Sequence, residues 1–398
     1  MLPGMEQLIT SYRDKFGEEP THRVRSPLRI CPLGAHVDHQ DGLVTGMALT
    51  DSITLAFAPE QHGYIRVQSL DFPDEEYFHL DQVPEMVPGF WGNYLRGAVL
   101  SLQNRFKLRR GIKGTIQGNL PIGGLSSSAA VTTAYLMALC EVNDLPVSSA
   151  ELIDFSHWVE TRFIGLNNGI LDQSANILSR QGRLMSMDCL TGEHDLVPAG
   201  PGLEEFEIVI VYSGISTALI STDYNNRVDE CKVAAWTLGE LGDLPVVPFH
   251  EVTLRQIPEE VFRDQRAHLA GRFQRRADHY FSEVDRVRRG VEAWGRGDLE
   301  EFGRLVFESG MSSIEHYESG CPELTTIYRI LRDTPGVYGA RFSGAGYRGC
   351  CIGLTDPAHR EEIRTRIVEE YPKAHPAYAD VFDVFFTGTG DGAEVIPL

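Results

Sequence analysis

The feature that most constrains this chain is the stretch Gly123-Gly-Leu-Ser-Ser-Ser-Ala-Ala130, preceded by Pro121-Ile122. Glycines accept positive φ and let a ligand approach the backbone, and serines favour helix starts. The apolar residues that follow, through Val142, read as a helix beginning near Ser127 or Ser128. Gly111 to Asn119 reads as the strand that feeds the turn. A strand, a glycine turn and a serine-capped helix aim free N–H groups at one point, an arrangement suited to an anion. The same residues also describe a well-capped helix after a turn. No GxxxxGK[ST] loop occurs, so a nucleotide would not be held by a Walker loop.

The rest of the chain reads as mixed strands and helices. Ile53, Leu55 and Phe57 alternate with smaller residues, as in a half-buried strand, and Tyr64 to Leu70 continues the sheet. Ser148-x-x-Glu151 is a capping box before a helix carrying Leu152, Phe155 and Val159. Phe206 to Tyr212 and Cys350 to Leu354 read as short buried strands, and residues 257–316 as long Arg/Glu-rich helices. The order lacks regular βαβ alternation, which favours α+β. The turn-rich Pro198 to Gly202 suggests a boundary, giving domains at 1–203 and 204–398.

Composition limits the partners. The 398 residues carry a formal charge of −20, which disfavours nucleic acid and anionic membranes as partners. No apolar run approaches the roughly 20 residues a membrane helix needs, and the N-terminus lacks the pattern of a signal peptide. Seven cysteines without a CxxC pair indicate neither a disulfide framework nor a zinc site. A cytoplasmic protein with small-molecule ligands and no obligate protein partner is expected.

Two further segments carry chemistry. Arg29-Ile-Cys-Pro-Leu-Gly-Ala-His-Val-Asp-His39 clusters short polar side chains around one glycine, as a hydroxyl-rich ligand requires; solvated loop residues would read the same. Gly165-Leu-Asn-Asn-Gly-Ile-Leu-Asp-Gln173 places a carboxylate between apolar residues, either as a base for a hydroxyl nucleophile or as a helix cap.

These three motifs, in this order, resemble the GHMP kinases. Gly339-Ala-Arg-Phe-Ser-Gly-Ala-Gly-Tyr-Arg-Gly-Cys350 is similar to their third, C-terminal motif. Trp91-x-Asn-Tyr94, Arg276-Ala277-x-His279 and Cys321-Pro-Glu-Leu324 resemble the galactokinase branch. The resemblance implies a GHMP kinase fold: an N-terminal domain like domain 2 of ribosomal protein S5, a ferredoxin-like C-terminal domain, and the active site between them. It implies ATP and Mg²⁺ as cofactors and phosphorylation of a sugar's anomeric hydroxyl. Asp172 would be the catalytic carboxylate, with Arg29 beside it and the transferring phosphoryl group. Gly123, Gly124, Leu125, Ser126, Ser127 and Ser128 would form the phosphate loop, and Trp91 would lie near adenine. Ser128 and Glu160 would hold Mg²⁺. Ala35, His36, Asp38, Asn168, Asp172 and Tyr224, the last within Ser221-Thr-Asp-Tyr-Asn225, would contact the sugar.

One departure bears on substrate. Galactokinases carry a Glu before the signature His, and it contacts the sugar's 6-hydroxyl; here the position is Ala35. Two like charges about 4 Å apart at an effective dielectric near 20 cost on the order of 4 kcal/mol. Without that Glu the site could accept a C6 carboxylate, and the longer motif strings resemble the uronate-phosphorylating members of the branch. D-galacturonate, converted to its 1-phosphate, is therefore the expected substrate. Alternatives are galactose or another hexose, and a non-catalytic sugar-and-ATP sensor. For the carboxylate's partner, Arg348, Arg227 and backbone N–H groups beside Ala35 are candidates. The branch's basic residue near the Tyr224 segment reads as Ser216 or Thr217.

Overall fold

The computed structural model describes residues 3–120, 123–203, 205–215, 223–245 and 247–398. Pro121, Ile122, Ser216, Thr217 and Ser221 lie outside the described residues. The chain runs α1 (Pro3–Phe16), β1 (His22–Ile30), β2 (Leu43–Glu60), β3 (Tyr64–Ser69), β4 (Glu75–His79), α2 (Asn93–Gln103), β5 (Gly111–Gly118), α3 (Ser127–Val142) and α4 (Ser149–Trp158). A π-helical turn at Val159–Ile164 leads to α5 (Leu171–Leu178), β6 (Arg183–Asp188), β7 (His194–Pro198) and β8 (Glu207–Tyr212). Then come α6 (Tyr224–Leu241), α7 (Glu259–Gln265), α8 (Gly271–Arg296), α9 (Leu299–Glu315), α10 (Pro322–Arg332), β9 (Val337–Phe342), β10 (Cys350–Thr355), α11 (Arg360–Ala374), β11 (Asp383–Thr387), β12 (Thr389–Gly390) and β13 (Glu394–Pro397). The capping box at Ser148 and Glu151 forms as the sequence implies.

Two sheets organise the molecule. The larger has the order β13-β1-β2-β5-β3-β4, with β6 and β12 also pairing β2 and β7 pairing β6. Helix α3 packs on β1 and β2. The second sheet has the order β11-β8-β10-β9, antiparallel throughout. With helices between β8 and β9 and between β10 and β11, this is the ferredoxin-like arrangement. Helices α9, α10 and α11 cover one of its faces.

Period-2 alternation explains why β8 and β10 are apolar throughout. Ile208, Ile210, Ile352 and Leu354 point into the core that also holds β1, β2 and α3. Val209, Val211 and Cys351 point the other way, against α10 and α11. The second sheet thus shares a core with the first. The chain also returns to the first sheet at its end: Thr389 and Gly390 pair with Leu49 and Ala48, and residues 394–397 pair with β1. The edge of β1 thus takes its partner strand from the C-terminus of the chain. Among the described residues no helix is long and apolar enough to cross a membrane.

Candidate active site

The end of β1, the start of α3 and the start of α5 converge on Asp172. Arg29 closes β1 with its guanidinium buried; its Nε donates to Asp172 Oδ1 (2.8 Å), and its Nη2 lies 2.7 Å from the same oxygen. Ser126 donates its hydroxyl to the other oxygen, Oδ2. Asp172 sits in the first turn of α5, and the residue at that helix's N-cap position is Ile170, so the capping alternative does not hold. Nor does Ser126 cap α3 through its side chain. It occupies the N-cap position with φ 56° and makes no side-chain cap bond, because its hydroxyl is turned to Asp172.

Around this centre lies an open cleft. Its walls include Arg29, Ala35, His36, Asp38, Ser128, Glu160, Asn168, Asp172 and Tyr224, so most of the expected residues meet at one place. Cys31, Leu166, Leu171, Arg341, Phe342, Gly344 and Ala345 complete it; their contribution was not evident from the sequence.

The cleft gathers three carboxylates. Glu160 is buried in the π-helical turn, a geometry frequent at functional sites. Its Oε2 accepts from Asn168 Nδ2 and from Gln173 Nε2 (2.6 Å), and Ser128 hydrogen-bonds the same carboxyl. Burial, then the charge of Asp172, pushes Glu160 up to about 7. The same two causes push Asp38 up to about 6. Tyr224, buried at the start of α6, is pushed well up by burial and by Asp38, Asp172 and Glu160. Buried acids of like charge side by side call for a cation. Among the described residues no three His, Cys, Asp or Glu side chains form a metal cluster. A hydroxyl and a carboxylate, Ser128 and Glu160, suit a hard divalent cation that takes its other ligands from phosphate and water. Asn168 Oδ1, buried and without a hydrogen-bond partner, is free to accept from a ligand hydroxyl.

The sugar-signature loop is held from behind. Glu283 of α8 accepts the N–H groups of Gly34 (2.8 Å) and Ala35 (3.3 Å). His279 Nε2 lies 2.9 Å from Ala35 O. His36 takes a left-handed φ of 60° and stacks on Tyr317 at 4.2 Å. Burial, then the neighbouring His279, lowers its pKa well below the usual range. Burial alone would raise Glu283, but Arg286, His279, Arg341 and the Ser309 hydroxyl outweigh it and hold the carboxyl at about 2. The sequence offered one signal for this group. Arg276, His279, Glu283 and Arg286 recur at helical spacing, and all are buried.

The phosphate loop is placed by close backbone contact. Gly123 (φ 152°) packs on Gly349, and a Cβ on Gly124 (φ 81°) would lie 2.8 Å from Cys350 N. The third glycine-rich segment is thus the bed of the first. Leu125 buries its side chain in the main core while its carbonyl accepts from Arg29 N (3.2 Å). Ser127 opens α3 beside Ser128.

Some expected residues lie elsewhere. Trp91 is half-buried against the main core, its Nε1 donates to Pro73 O (3.2 Å), and it is not on the cleft wall. Arg348 neighbours Tyr94 and Tyr212 on the phosphate-loop side. Arg227 donates to Glu318 O and Glu230. The N–H of Ala35 is committed to Glu283.

The chain is similar to known kinases. The family described as GHMP kinases N terminal domain matches residues 93–180, and GHMP kinases C terminal matches 290–373. A galactokinase galactose-binding signature matches residues 10–59. A galacturonokinase of Arabidopsis thaliana is 43% identical over 94% of this chain and 93% of its own. A galactokinase of Roseiflexus sp. (strain RS-1) is 30% identical over 97% and 96%. The crystal structure of Lactococcus lactis galactokinase complexed with galactose superposes with a TM-score of 0.89 and 26% identity, covering 98% of this chain and 99% of that one.

Proposed function

The chain belongs to the galactokinase branch of the GHMP kinases and is an ATP-dependent sugar 1-kinase, and we propose that its sugar is D-galacturonate. The observation that carries this reading is the wall made by Ala35, His36 and Arg341. Where galactokinases present a carboxylate to the sugar's C6, this wall presents a methyl group. Arg341 is the cation on that side, backed by Ser309 (2.7 Å), Ser313 (3.3 Å) and Glu283 (3.7 Å). Both arginines of the cleft are paired, Arg29 with Asp172 and Arg341 with Glu283. The 43% identity to a galacturonokinase supports the same reading.

The proposed reaction follows from this placement. The anomeric oxygen attacks the γ-phosphorus of ATP, its bond to phosphorus forms as the β–γ bridging P–O bond breaks, and ADP leaves. The hydroxyl proton is taken, or loosened, by Asp172. Oδ1 faces both Arg29 nitrogens, while Oδ2 keeps a lone pair beyond its bond to Ser126. Arg29 offsets charge gathering at the transferring group. His36, Asp38, Asn168 and Tyr224 orient the sugar hydroxyls. Gly123, Gly124 and the N–H groups at the start of α3 receive the phosphates. Ser128 and Glu160 would hold Mg²⁺, which when bound would neutralise phosphate charge. We place the enzyme in the cytoplasm.

Galactose is the second reading, favoured by the galactose-binding signature over residues 10–59. ADP release with Mg·ATP, measured on D-galacturonate and D-galactose side by side, separates the two. We expect kcat/KM at least tenfold higher for galacturonate; a preference for galactose overturns the proposal. Ala35→Glu should cut kcat/KM for galacturonate on the order of a hundredfold or more through like-charge repulsion.

A further inference from the structure

Ser126 has three features that phosphate binding does not require. Its φ of 56° is left-handed, a region that L residues other than Asn and Asp seldom enter. It stands at the N-cap position of α3, where a serine hydroxyl ordinarily accepts a bond from its own helix, yet it makes none. Instead it donates to Asp172, 46 residues away in another helix. Glycine is the default residue at such a backbone angle. What a serine adds there is the hydroxyl, and the hydroxyl is on Asp172.

The geometry of the carboxylate completes the argument. Arg29 faces Oδ1 with two nitrogens. Held on one oxygen, the carboxyl could still turn about its Cβ–Cγ bond. Ser126 holds the second oxygen from the opposite element and fixes the plane. We propose that Ser126 is a positioning residue for phosphoryl transfer, whose hydroxyl locks the Asp172 carboxylate in the orientation that meets the sugar's anomeric hydroxyl. The proposal rests on the reading of Asp172 as the group that contacts that hydroxyl.

The test compares Ser126→Gly with Ser126→Ala, since both lose the hydroxyl and only glycine relieves the backbone. Steady-state kinetics on the better of the two sugars and thermal melting are measured for each. Both variants should lose 10- to 100-fold in kcat, the scale of one hydrogen bond to a charged group, with KM for ATP and sugar within about threefold. The Gly variant should melt at or above the parent temperature and the Ala variant below it. If kcat instead follows stability, with Gly like the parent, Ser126 is a backbone residue only and the proposal fails. If KM for ATP rises while kcat holds, the hydroxyl serves the phosphates and the proposal also fails. Asp172→Asn separates the two readings. Full activity in that variant removes the role of Asp172 and the proposal with it. Loss of activity there, with Ser126→Gly unchanged, overturns the proposal alone.

Discussion

The two loops that meet at Asp172 are held in opposite ways. The sugar-signature loop is clamped by buried side chains from far along the chain: Glu283 and His279 grip its backbone, and Tyr317 backs His36. Thr45 adds a bridge to both the N–H and the C=O of Leu33. The phosphate loop has no such clamp. It lies against another glycine-rich segment, largely backbone on backbone, with Cys350 Sγ and the Tyr212 ring beside Gly124 and Gly123. On the proposed roles of the two loops, substrate choice would depend on a distant ionic network and nucleotide binding on local steric fit.

Breaking the ionic clamp should have the largest effect. Glu283→Ala would leave Arg286 and Arg341 without their shared carboxylate and free the N–H groups of Gly34 and Ala35. Removing one partner of a buried ion pair costs about 3–5 kcal/mol. Urea denaturation should show that loss, and sugar KM should rise more than ATP KM in any fraction that folds. Unchanged stability would mean that the loop holds itself.

Acid should weaken the same clamp through His279. Burial lowers its pKa to about 4, against about 6.5 in an unfolded chain. Between those values the unfolded state binds a proton that the folded state refuses, so stability falls as pH drops from about 6.5 to 4. Above 6.5 the contribution is complete. The change is roughly 3 kcal/mol for one group. His279→Gln, which keeps a donor for Ala35 O, should flatten that part of the stability–pH curve; parallel curves for the two proteins would show that His279 is not held neutral.

The contrast also explains what could be read from sequence. The phosphate loop is a local object, so Gly123 to Ala130 announced a turn and a helix start without reference to the rest of the chain. The strands β8 and β10 were legible because both of their faces are buried, which leaves an unbroken apolar run. The clamp was legible only as a helical spacing, without its partners. Arg276, His279, Glu283 and Arg286 lie in an Arg/Glu-rich segment, and charged residues on a helix read as its solvated side until a partner is known. Strands β12 and β13 span two and four residues, too short for any periodicity. The bond from the Trp91 indole to Pro73 O is a contact that no local pattern encodes. The Ser126–Asp172 bond was not legible, because the direction of one hydroxyl depends on where α5 is placed.

The smallest of these effects should come from the steric loop, and it should fall on the other substrate. Gly124→Ala adds a Cβ that would meet Cys350 N at 2.8 Å and Ser343 O at 3.2 Å, while φ stays near 81°. Both neighbours are backbone and cannot swing aside as a side chain would. The cost is about 2 kcal/mol, from left-handed strain and overpacking together. Relief requires the loop to lift off β10, which carries the N–H groups at the start of α3 away from the phosphates. ATP KM should therefore rise about tenfold or more while sugar KM stays within about threefold, the reverse of the Glu283→Ala pattern. Equal rises in both constants would show that the two loops move as one body, and that the separation between ionic and steric support does not extend to binding.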